Sequence, residues 1–171
     1  MISERLTYRA VTQADLDAFH ELVTDEHIRR YLMDGNIFSR EWAEERIGHS
    51  EALFRERGVG VWLTHSKSTN ELLGFCGFVV IADLHPEPEL VYAMPERFTG
   101  QGYATEMARA CIAEARTHPG FDDLFTGVDE VNTASLHVLR KLGFEHVSTH
   151  PGHFGRTFMF RLGSEESKGN S

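Results

Sequence analysis

A chain of 171 residues fits one domain with a closed hydrophobic core, and 41% hydrophobic against 25% charged residues excludes a disordered or fibrous polymer. Its 26 acidic and 17 basic side chains leave a formal charge of -9, which argues against a general affinity for nucleic acid or an anionic membrane. A cationic acceptor suits that balance, although an acidic surface serves solubility first.

Residues 5–10 alternate polar and apolar side chains and predict a strand, ended at Thr12, which has the chemistry of a helix N-cap. A helix follows from Gln13 with Leu16, Phe19, Leu22 and Val23 on one face, and a second short helical stretch ends at the turn Gly35-Asn36. Ser39 caps a third helix, stopped at Gly58; its N3 residue is Trp42, so no reciprocal capping box forms. Residues 59–65 and 72–81 are β-rich and flank the polar cluster Ser66-Lys67-Ser68-Thr69-Asn70, which predicts an antiparallel hairpin.

A shorter strand is predicted over 89–94, entered through Pro86 and Pro88 and left at Pro95. Strong helix formers over 103–116 set Met107, Cys111 and Ala115 in one stripe before Pro119-Gly120 ends the segment. Residues 124–129 read as a strand, and the strand-helix-strand order makes it parallel to 89–94. A helix over 133–142 closes at Gly143, and 144–149 pairs with 154–162 across His150-Pro151-Gly152-His153. The domain thus spans 1–163, one mixed α/β sheet flanked by helices, with a polar, mobile tail over 164–171. Cys76 and Cys111 read as reduced core residues without metal-site spacing. No signal peptide or membrane-length apolar run is legible, so the expectation is a cytoplasmic protein.

The segment Arg97-Phe98-Thr99-Gly100-Gln101-Gly102-Tyr103-Ala104-Thr105-Glu106 joins a strand to a helix. Such a junction presents unpaired N–H groups and the positive end of the helix dipole, and the glycines admit a phosphate without a Cβ in its way. It is neither a Walker loop nor the dinucleotide fingerprint, since no Gly-Lys-Ser/Thr follows and position 105 is Thr. Taken alone, two nearby glycines are equally a plain turn.

The pattern Arg97-x-x-Gly100-x-Gly102, followed about thirty residues later by Asn132-x-x-Ser135 and Lys141-Leu142-Gly143-Phe144, resembles the GNAT superfamily of N-acetyltransferases. Residues 5–15 and Leu73-Gly74-Phe75-Cys76-Gly77 are similar to its branch of ribosomal-protein N-terminal acetyltransferases. The resemblance, over residues 5–162, implies an α+β domain whose mostly antiparallel sheet contains a central splayed parallel strand pair. It implies acetyl-CoA as co-substrate, no metal, and an acceptor that is a protein N-terminus or a small-molecule amine. No nucleic acid or membrane partner is expected, and the oligomeric state stays open between monomer and homodimer.

In that resemblance the backbone of Ala93 and Met94 takes the pantetheine arm, Arg97, Thr99, Gly100, Gln101, Gly102, Tyr103, Ala104 and Thr105 form the pyrophosphate loop, and Asn132 contacts the arm. The Met94 N–H is the oxyanion donor. An alkyl ammonium must lose a proton before attack, and Glu89 is the first candidate base, with Glu87 as a competitor and His85, His150 and His153 read as loop histidines. Many relatives carry a tyrosine acid seven residues after the motif Asn, where this chain has Leu139; Ser135 stands as the substitute, or else bonds to backbone at the helix start. Leu136, Leu139, Leu142 and Phe144 are assigned to the core, Lys141 to a solvated face, and Trp62 is open; for Trp42 the resemblance implies a region that walls the acceptor cleft, while a large aromatic there reads first as core packing. Two other readings remain: an acyl-CoA-binding sensor or scaffold without turnover, and a nucleotide-phosphate binder.

Overall fold

Alternating and apolar runs of the sequence become a single sheet in the computed structural model, which describes residues 1–81 and 85–164, with His85 and Pro86 described by backbone alone. Its strands are β1 (Leu6–Ala10), β2 (Val61–Ser66), β3 (Leu72–Ile81), β4 (His85–Ala93), β5 (Leu124–Asp129), β6 (Glu145–Gly152) and β7 (Gly155–Leu162), in the order β1-β2-β3-β4-β5-β7-β6. Each neighbouring pair is antiparallel except β4 and β5, joined in parallel by the crossover that the sequence predicts. The expected tail falls outside the described residues beyond Ser164.

Period-2 alternation sends the two faces of the sheet to two cores. Val61, Leu63, Phe75 and Val91 pack under α1 (Leu16–Thr24), α2 (Glu26–Leu32) and α3 (Arg40–Arg57). Leu73, Phe78, Leu90 and Leu124 pack under α4 (Tyr103–Ala115) and α5 (Thr133–Leu142). The stripe Met107, Cys111, Ala115 is fully buried there, as its i+4 spacing requires. Helix ends follow the predicted chemistry: Ser39 Oγ accepts from the Trp42 N–H at 3.2 Å, and Gly58 and Gly143 close α3 and α5 in the left-handed conformation.

Three expected boundaries are corrected. β4 begins at His85 rather than Glu89, with Pro86 and Pro88 inside it, because the β3–β4 register shifts between Val79 and Ile81 and a proline at a bulge forfeits no ladder bond. The last hairpin turns at His153-Phe154 alone, with Gly152 opposite Gly155; Pro151 stays in β6 because that strand is the sheet's edge. Thr12 opens a 3-10 turn (Gln13–Asp15) rather than α1 itself, and the Asp15 carboxylate accepts from its N–H and its Oγ, both at 2.9 Å.

The parallel pair is what positions the site. Its ladder holds the single pair Glu89↔Phe125, and Thr126 Oγ1 then donates to the Leu90 carbonyl at 2.8 Å. Beyond that bond the two strands part.

Candidate active site

The parting strands open a cleft of about 300 Å³, walled by β4 from Leu90 to Met94, by Thr126, Gly127 and Val128 of β5, and by the starts of α4 and α5. Ladder pairing of β4 ends with Phe75↔Ala93, so the next residue, Met94, points its N–H out of the sheet; among the described residues it meets no acceptor. An amide donor left open at a strand end can receive an oxygen from a ligand.

The start of α4 is open as well. A short 3-10 turn (Glu96–Phe98) leads into Gly100 and Gly102, both left-handed at φ 73° and 82°, and Gly102 caps the helix without any side-chain bond. The first-turn N–H groups therefore keep their donor capacity, and a Cβ at Gly100 would meet no protein atom within 4 Å. Arg5 braces this loop from outside: its Nη1 donates to the Gln101 carbonyl at 2.9 Å, its Nε to Glu106 Oε2 at 2.8 Å, and its guanidinium lies over the Tyr103 ring. Burial opposes the charge of Glu106, but hydrogen bonds from Ser3 and Arg5 outweigh it and hold the carboxyl below its usual pKa. That negative charge is spent on Arg5, so the loop stays favourable to an anion.

At α5 the N-cap is satisfied internally, since Asn132 Oδ1 accepts from the Ser135 N–H at 3.1 Å. Asn132, Ser135, Ala93, Met94, Thr99, Gly100, Gly102, Tyr103, Ala104 and Thr105 all line the cleft. Arg97 and Gln101 do not. Arg97 is exposed with its guanidinium over the Phe98 ring, and Gln101 Nε2 donates to the Arg97 carbonyl at 3.2 Å, so both serve the loop's shape. Leu139 is fully buried in the core.

Glu89 lies at the root of the splay, 2% exposed, its Oε2 accepting from the Gly127 N–H at 3.0 Å. It sits under a cleft-lining residue and is not itself part of the wall. Glu87 pairs with Arg57 at 3.0 Å away from the cleft. His150 meets Ser148 on β6 and His153 packs edge-on to Phe154, both outside the cleft wall, while the His85 side chain lies outside the described residues. Burial raises the Cys111 thiol well above its ordinary pKa, and both cysteines are free and buried, so neither presents a thiolate to the cleft.

Among the wall residues that sequence reasoning did not place in the site, five carry titratable side chains. His27 and Tyr31 reach the cleft from α2, where the ring of one stands edge-on to the other at 5.1 Å. Tyr92 is on β4, and its alternation with Val91 was the available signal. His137 and Lys141 line the α5 side; Lys141 is exposed, in keeping with its assignment to a solvated face, and also borders the opening. Trp62 is buried beside Phe54. Trp42 is stacked on Phe38, with centroids 4.2 Å apart, along an apolar cavity between α3 and the sheet. Among the described residues no group of acidic, His or Cys side chains could hold a metal, and no helix is long and apolar enough to cross a membrane.

Open amides on a helix start beside an open strand end form a donor set that fits the phosphates and amide-rich arm of CoA. Comparison with known proteins agrees. The model of the acetyltransferase (GNAT) domain matches residues 5–145. An uncharacterized N-acetyltransferase of Bacillus subtilis strain 168, YoaA, is 27% identical over 143 residues, covering 84% of this chain and 81% of that one. In fold the chain is similar to RimL, a ribosomal L7/L12 alpha-N-protein acetyltransferase solved with coenzyme A (TM-score 0.78, 20% identity, 96% and 97% of the two chains). It is also similar to the spermidine N-acetyltransferase of Vibrio cholerae solved with CoA and spermine (TM-score 0.75, 16% identity, 94% and 96%). The chain belongs to the GNAT acetyltransferase family, as an acetyl-CoA-dependent N-acetyltransferase.

Proposed function

We propose that the chain acetylates a primary amine by direct attack of the neutral amine on the thioester, through a tetrahedral intermediate and without an acyl-enzyme. The open Met94 N–H at the mouth of the splay carries this reading, because it offers a donor where the carbonyl oxygen gains charge. In the proposal, amides from Thr99 to Thr105 hold the pyrophosphate, the β4 edge at Ala93 and Met94 and the Asn132 amide hold the pantetheine arm, and Ser135 donates to the leaving sulfur. Acetyl-CoA supplies the acyl group and a thiolate that leaves readily. The acceptor enters on the α2 side, past His27 and Tyr31, and is a protein N-terminus or a small amine, the classes named for RimL and the spermidine enzyme.

A panel of amine-terminal peptides and polyamines, read by mass spectrometry and thiol release, tests it. Saturable acetyl-CoA binding with no acceptor accelerating CoA release would turn the reading into that of an acyl-CoA sensor.

For the base, Glu89 is proposed to take the amine proton through solvent above Gly127. A second reading has support of its own, since His27 lines the cleft and Glu89 does not. Glu89→Gln is expected to lower kcat by roughly 100-fold and remove the acid limb of the pH profile. A profile left intact there but flattened in His27→Gln would transfer the role to α2.

A further inference from the structure

Tyr92 is a polar side chain of the cleft that the proposed reaction does not use. It follows Leu90 by two positions on β4, so the pleat turns it to the α5 side of the sheet, opposite to Val91. There it lines the same cleft as Ser135, and its hydroxyl is shut off from solvent without a hydrogen bond of normal length. Burial pushes its pKa up to about 12, so the phenol keeps its proton, and the Ser135 hydroxyl is the side-chain group placed to hydrogen-bond with it. A buried phenol that is a donor at every working pH is costly to leave without an acceptor.

Ser135 can supply one. Its N–H is fixed on Asn132 Oδ1, so its remaining freedom is rotation of the hydroxyl about χ1. Once Oγ accepts from the phenol, its own O–H is left to donate into the cleft. Leu139, fully buried, provides no hydroxyl from the next turn of α5.

We infer that Tyr92 is a positioning residue whose phenol O–H donates to Ser135 Oγ and thereby aims the Ser135 O–H at the sulfur of CoA. This rests on the proposal that Ser135 faces the sulfur. No proton leaves Tyr92; it restricts one rotamer, so that the hydrogen bond to the departing thiolate is in place before the C–S bond breaks.

The test needs no acceptor. Kd values of CoA and acetyl-CoA are measured by calorimetry between about pH 6 and 10, and their ratio against pH reports the ionisation of the bound thiol, since acetyl-CoA has none to titrate. In the native protein, CoA is expected to tighten roughly tenfold relative to acetyl-CoA as the thiolate forms. Tyr92→Phe and Ser135→Ala should each lose most of that tightening, and the double variant should lose no more than Ser135→Ala. Tyr92→Phe should melt no lower than the native chain, because the change deletes a buried O–H. Tyr92→Phe with full tightening, while Ser135→Ala loses it, overturns the role of Tyr92 and leaves the proposal for Ser135 standing. Full tightening in Ser135→Ala overturns both. A Tyr92→Phe loss that persists in the Ser135→Ala background also overturns the inference, since the phenol would then act by another route.

Discussion

Two helices begin at the same cleft with opposite chemistry. α4 starts at Gly102 with no side-chain cap, so its first amides remain free and the loop before it is held by Arg5 from the far side. α5 starts at Asn132, whose side chain occupies the Ser135 amide. The first start has the open backbone amides that an anion site needs, and its side chains matter by being absent or turned away. The second has its Thr133 and Ser135 amides engaged, by the Val131 carbonyl and the Asn132 side chain, so what it adds to the cleft is chiefly side-chain hydroxyl and amide chemistry. In the proposed function, a glycine and an asparagine at equivalent positions separate binding of phosphate from handling of the thioester.

The largest effect is expected at α4. Gly102→Val places a β-branched residue at φ 82° and a Cβ 3.4 Å from the Arg5 guanidinium, so it should weaken CoA about 100-fold by calorimetry. Gly100→Ala sharpens the point, because no protein atom lies within 4 Å of the new methyl. Its loss, about tenfold, would come from φ strain and the obstructed phosphate alone. Native affinity in both variants would remove the loop from the cofactor site.

At α5 the order of effects reverses. Asn132→Ala deletes the cap and should cost about 1 kcal/mol of stability, or roughly 2–4 °C in Tm. Its KM for acetyl-CoA should rise only severalfold. A Tm loss without any change in KM would make Asn132 a helix cap and nothing more, and the contrast between the two starts would collapse to stability against binding.

Much of this was readable before any coordinates, for reasons that differ by element. β5 and α5 agree with the sequence because their ends are marked by local chemistry: a Gly143 stop, an Asn132 start, and alternation over Leu124–Asp129. The prolines misled because their tolerance depends on pairing, a β3–β4 bulge at Pro86 and Pro88 and a free edge at Pro151, which the local sequence does not encode. The glycine loop proposed to take the phosphates was legible as spacing. The cleft's other wall was not, since His27, Tyr31 and Tyr92 reach it only through juxtaposition of α2, β4 and α5, and each reads locally as packing. Glu89 was identified as a candidate, but its place beneath Gly127 follows from where the strands part.

The 3-10 turn before α1 supplies the third helix start, well away from the cleft, and the smallest effect. Asp15 accepts from Thr12 and pairs with Arg9 of β1 at 2.6 Å; the Arg9 hydrogen bond, aided by those from Thr12, lowers its pKa to about 2. Because the folded value lies below the unfolded one, near 4, the stabilisation is present above about pH 4 and disappears as pH falls through about 2. Asp15→Asn should therefore cost about 1 kcal/mol in urea unfolding at pH 7, discounted for the exposed Arg9, and the difference from native should shrink toward zero between about pH 4 and 2. CoA affinity should not change. If it did, this distant cap would be coupled to the cleft through β1, whose next residue back from Leu6 is Arg5, the brace of the glycine loop before α4.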